Sequence, residues 1–91
     1  MARKATDKNQ KEIVAALRKV GAVVKMVYIV PNLFDIIVFY KGNVFCVEVK
    51  NGLKSKLTPG EQKCKEDIET AGVKYWVVYS IEDALNMIGI K

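Results

Sequence analysis

The chain has no histidine, which removes imidazole acid–base catalysis and histidine-ligated zinc from the chemistry open to it. Cysteine is nearly as scarce: Cys46 and Cys64 are the only two. They make neither a zinc set nor a disulfide framework, so a reducing, cytoplasmic setting is expected. With two prolines and one tryptophan, the sequence shows no linker and no low-complexity segment, and no strand pattern carries the paired exposed aromatics of a single-strand binder. No apolar run reaches the length of a membrane span and the polar N-terminus does not resemble a signal peptide, so no membrane partner is expected.

What is present is a chain of 91 residues, 51% of them hydrophobic. That is enough for one small domain, expected over residues 7–91 behind a flexible basic arm, residues 1–6. A core of this size gives modest stability, so association into a homodimer is expected. Fifteen Lys and Arg face ten acids, for a net charge of +5, a balance that favours a polyanionic partner.

The patterning predicts an α/β sandwich of order αβββαβα with a mixed four-stranded sheet. Asp7 is the expected N-cap of a helix to about Val20, closed by Gly21, with Ile13, Val14, Leu17 and Val20 facing inward. Residues 22–30 form one long apolar strand, broken by Pro31-Asn32. A hairpin follows, from Leu33 to Tyr40 and from Val44 to Lys50, expected to turn on Gly42-Asn43. Thr58-Pro59-Gly60-Glu61 then opens a helix with a capping box, and Cys64, Ile68 and Ala71 are its expected buried stripe. Residues 73–79 form a strand parallel to the hairpin's second arm through a right-handed crossover. Ser80 caps a last helix, with Ile81, Ala84, Leu85 and Ile88 inward.

Chemistry gathers on the hairpin. Its alternation sends Cys46, Glu48 and Lys50 to one face and Phe45, Val47 and Val49 to the other. A turn at 42–43 sets Asp35 opposite Lys50 and Ile37 opposite Glu48, so two carboxylates and an ammonium converge at one end of one face. Asp35 stands inside an apolar run, where an unpaired carboxylate costs several kcal/mol of desolvation. Two readings fit: a structural Asp35–Lys50 ion pair, or a site in which Asp35 and Glu48 share a cation.

Asp35, then Glu48-x-Lys50 across a hairpin, with Leu57 to Gln62 opening the next helix, resembles the PD-(D/E)xK nuclease superfamily. More narrowly it resembles the small stand-alone VRR-NUC domains of phages and bacteria, related to Holliday-junction resolvases. The resemblance spans nearly the whole chain. It implies a restriction-endonuclease-like fold in which Asp35, Glu48 and the Val49 carbonyl ligate Mg²⁺, with Mn²⁺ as a substitute, while Lys50 positions or activates the attacking water. It also implies that Gln62 reaches the active site, and that Gln10 stands on the first helix where the family often shows a glutamate. The family's usual proline before the aspartate is absent, Phe34 taking its place.

The function expected is a Mg²⁺-dependent deoxyribonuclease acting on branched or four-way-junction DNA, with Lys54, Lys56, Lys4 and Arg3 contributing phosphate contacts. One alternative is a non-catalytic DNA-binding domain that keeps the nuclease fold, suggested by Gln10 in place of an acid. Another is a basic structural or RNA-binding module in which Asp35 and Lys50 are simply paired.

Overall fold

A computed structural model describes residues 8–52 and 55–90. The elements run α1 (Lys8–Lys19), β1 (Val23–Met26), β2 (Ile36–Tyr40), β3 (Asn43–Val49), α2 (Pro59–Thr70), β4 (Tyr75–Val78) and α3 (Ile81–Met87). This is the expected αβββαβα order. The sheet order is β1-β2-β3-β4, with β1, β2 and β3 antiparallel and β4 parallel to β3, because α2 carries the chain across one face between them.

Strand alternation divides the molecule into two layers of unequal thickness. Val24, Val38, Val47 and Val78 point to the face covered by α1 and α3, where they pack with Ile13, Val14, Leu17, Ala84 and Met87. The apolar stripe of α1 enters this core as its period requires. Val20 is exposed instead, because the helix stops at Lys19 and the chain turns at Gly21 (φ 100°). Ile81, in the first turn of α3, is likewise exposed.

Among the described helices only α2 covers the other face, with Phe34 packing on Tyr75 at its end. That helix begins as its sequence dictates: the Thr58 hydroxyl accepts from the Glu61 amide and the Glu61 carboxylate accepts from the Thr58 amide. None of its residues is fully buried. Of the expected stripe, Cys64 and Ile68 are half-buried and Ala71 is exposed.

Two local expectations are corrected. The first strand ends at Met26, not at residue 30. From Val27 the chain turns back, Val30 N–H donating to the Val27 carbonyl at 3.1 Å, and Asn32 adopts a left-handed conformation (φ 58°). Apolar, β-branched composition alone does not make a strand where no neighbour pairs with it.

The hairpin turns on Lys41-Gly42, both with positive φ (49° and 84°), as a type I′ turn requires. Tyr40 therefore faces Asn43 and Ile37 faces Cys46 rather than Glu48, and Asp35 does not stand opposite Lys50. The slip is by an even number of residues. Every side chain keeps its face.

Candidate active site

Asp35 lies where β2 begins, and its backbone is fixed on both sides. Its N–H donates to the Val47 carbonyl at 3.0 Å, and its own carbonyl accepts from Val27 N–H at 2.9 Å. Its carboxylate accepts a 2.9 Å bond from the Val49 amide through Oδ2. Val47 and Val49 belong to the core, so pleat alternation leaves Glu48 on the Asp35 side, under the N-terminus of α2. Both acids are buried, Asp35 to 1% exposure and Glu48 to 3%.

The third acid comes from α2. Glu61 Oε1 lies 2.7 Å from Lys50 Nζ, while Glu48 Oε2 lies 3.7 Å from the same nitrogen. Lys50 is thus clasped by Glu61 and Glu48. Burial above all, then the charges of Asp35 and Glu61 and a hydrogen bond to Glu61, push the Glu48 carboxyl up to about 9 against the pull of Lys50. At neutral pH Glu48 holds a proton and donates it to Glu61.

Glu61 moves the other way. Burial would raise it, but the bonds from Lys50 and the Thr58 amide hold it below the usual carboxylate range. For Lys50, burial favours the neutral amine, yet the Glu61 bond and the surrounding negative charge outweigh that and raise its pKa.

Asp35, Glu48 and Glu61 line a cavity of about 330 Å³ whose opposite wall is the Tyr28–Phe34 loop. Among the described residues no three His, Cys, Asp or Glu side chains form a ready-made metal cage. The donors present still suit a hard cation that keeps most of its waters and takes one or two carboxylates from the protein, as Mg²⁺ does. The raised Glu48 carboxyl is consistent with this: burial and the neighbouring Asp35 and Glu61 charges outweigh the pull of Lys50, and a cation there would offset them.

The other expected site residues fall into three groups. Gln10 is buried on α1, among the residues facing the core, and does not line the cavity. Gln62 does not reach the site: it is exposed, and its amide donates to Glu66 at 3.2 Å. Glu61, one residue earlier, takes the place expected of it. Lys56 is exposed, while Lys54, Lys4 and Arg3 lie outside the described residues.

Two residues had not been assigned to the site. A capping-box reading accounts for Glu61 completely, so only the fold reveals that its carboxylate also faces Glu48. Tyr75 is the second. It sits on β4 beside Cys46, its ring edge-on to Phe34 at 6.4 Å. Its hydroxyl is buried with no hydrogen-bond partner among the described residues. Burial first, then the charges of Glu48 and Glu61, drive that phenol well above its ordinary pKa.

Fold and site together define a restriction-endonuclease-like α/β domain with an aspartate and a Glu-x-Lys pair converging at the end of its central hairpin. Among solved structures the chain is similar to one described as a VRR_NUC domain, with a TM-score of 0.73 and 23% identity over 89% of this chain and 90% of that one. The two share the VRR-NUC fold. No protein-family model and no curated protein matches the sequence.

Proposed function

We propose that the chain is a metal-dependent DNA nuclease whose centre is Asp35, Glu48 and Lys50. One observation carries the proposal: two carboxyls are buried side by side, and burial above all, then the charges of Asp35 and Glu61, hold the Glu48 carboxyl up at about 9 although Lys50 lies 3.7 Å away. A divalent cation seated between the two carboxyls would supply the positive charge that lets both ionise. Asp35 and Glu48, with the Val49 carbonyl, would hold Mg²⁺ or Mn²⁺. The ion, when bound, supplies Lewis acidity toward a phosphate oxygen and acidifies a water.

The protein's own groups do the rest. The Val49 amide fixes the Asp35 carboxylate, and Glu61 holds Lys50 beside Glu48, so that its ammonium faces the charge developing on the phosphate. The net charge of +5, with Lys56 and the basic residues outside the described segments, supplies sequence-independent affinity for DNA that weakens with salt. We place the protein in the cytoplasm, where the free thiols Cys46 and Cys64 are stable. No helix among the described residues is long and apolar enough to cross a membrane.

A homodimer has a candidate surface on the sheet face that α2 leaves open. Strand β4 is largely covered, but Val23, Phe39 and Val44 are cross-strand neighbours on β1, β2 and β3 and are 51%, 41% and 59% exposed. This row lies beside α2 on the thin face. A two-fold pairing through it would set two active sites against two strands, the arrangement that suits branched or junction DNA.

The test is incubation with Mg²⁺ or Mn²⁺ and a panel of linear, flapped and four-way DNAs. Cleavage that chelator stops is expected. A second reading, a DNA-binding domain without activity, is favoured by the uncharged Gln10 and by the commitment of Lys50 to Glu61 at 2.7 Å. Binding without cleavage of any DNA in the panel would select it.

A further inference from the structure

The cavity at the site has two chemically different walls. On one side stand the carboxyls of Asp35, Glu48 and Glu61; on the other is the loop that leads into Asp35. That loop, residues 27–34, contains no charged residue, so it brings no positive charge to a phosphate. It is nonetheless held in place. Val27 N–H is bound to the Asp35 carbonyl and Val30 N–H to the Val27 carbonyl. The Asn32 side chain lies so close to Gly60, at the start of α2, that a Cβ there would collide with it.

Ile29 and Val30 line the cavity and are 84% and 48% exposed. Apolar side chains fixed in water beside a polar centre mark a place where an apolar ligand surface arrives.

Resting on the nuclease reading above, we infer that this wall is a subsite for an unstacked nucleobase of the nucleotide flanking the scissile phosphate. A phosphate seated at the carboxyls through a cation puts its own nucleoside within the same cavity. In intact duplex that base is stacked and paired on the far side of its sugar, away from the wall. It reaches Ile29 and Val30 only after leaving the stack, which costs least at a branch, flap or frayed end. The loop thereby becomes the element that favours distorted DNA, through contact with a base face rather than through hydrogen-bonded readout.

The test uses two readouts. Wild-type protein first maps the cut on branched and linear DNA in Mg²⁺. The Asp35→Asn protein, expected to bind without cutting, is then added to the same DNAs carrying 2-aminopurine beside that cut. Binding is expected to raise the fluorescence as the base unstacks. Adding Ile29→Ser should abolish the rise, and in otherwise wild-type protein should lower the ratio of branched to linear cleavage by about tenfold, the scale of one base contact.

Cutting by wild-type protein with no fluorescence change, or a rise that survives both Ile29→Ser and Val30→Ser, would overturn the subsite and leave the nuclease reading standing. Loss of a dimer in Ile29→Ser would reassign the loop to a contact between copies and overturn it too. Absence of cutting by wild-type protein would remove the nuclease reading, and the subsite with it.

Discussion

Glu48 is buried beside Asp35 and within hydrogen-bonding reach of Glu61, and its pKa of about 9 in the fold lies far above the ordinary value of 4.5. The folded chain therefore retains a proton that the unfolded chain gives up. The stability tied to that proton is fully present below about pH 4.5 and is lost as pH rises toward about 9. Thermal melts without divalent metal should show Tm falling across that range, and Glu48→Gln should flatten the fall. An unchanged slope in that variant would mean that another group controls the titration.

Tyr75 makes a complementary prediction. A buried hydroxyl without a partner costs roughly 1–3 kcal/mol, so Tyr75→Phe, which removes the oxygen and keeps the ring on Phe34, should stabilise the metal-free protein by about 1 kcal/mol. Urea midpoints measure this. Destabilisation would show that the hydroxyl does have a partner in solution.

At the scale of elements, the site depends on how the 27–34 loop seats against α2. Gly60 has ordinary helical space on its own helix, but Asn32 occupies the position its Cβ would take. Gly60→Ala should leave helix content unchanged by circular dichroism, since alanine favours helix, while displacing the loop and lowering cleavage. Full activity in that variant would show that the loop position does not matter.

How far the sequence disclosed these elements follows from the strength of local rules. The αβββαβα order was legible because helix caps at Thr58 and Ser80 and the alternation of β3 are short-range signals. The face shared by Asp35, Glu48 and Lys50 was legible too, because parity survives an even slip in register. The register itself was not. Gly42-Asn43 and Lys41-Gly42 are both two-residue loops, and choosing the second puts a lysine at positive φ, which local preference disfavours. The end of β1 was hidden because Tyr28, Ile29 and Val30 have strand composition but no pairing partner. Glu61 was hidden because its capping role already explained it, while the family resemblance pointed to Gln62 beside it.

For the whole molecule, the uneven layering matters most. One face of the sheet is sealed by α1 and α3, and the other leaves the row Val23, Phe39 and Val44 in water. Light scattering at tens of micromolar should report a dimer, and Phe39→Lys should convert it to monomer without loss of secondary structure, since Phe39 is already 41% exposed. A monomeric wild-type protein would contradict this and would also remove the two-strand geometry argued for junctions.

The central claim is that Asp35 and Glu48 are a cation site kept closed by a proton, and calorimetry tests it most directly. Mn²⁺ is titrated into the protein at pH 7 in two buffers of different ionisation enthalpy. The account predicts saturable binding with release of about one proton per ion, because the Glu48 proton must leave before the carboxylate can serve a metal. Asp35→Asn should weaken binding, and Glu48→Gln should abolish the proton release. Binding of equal strength in wild-type and Asp35→Asn protein, or no saturable binding at all, would contradict it.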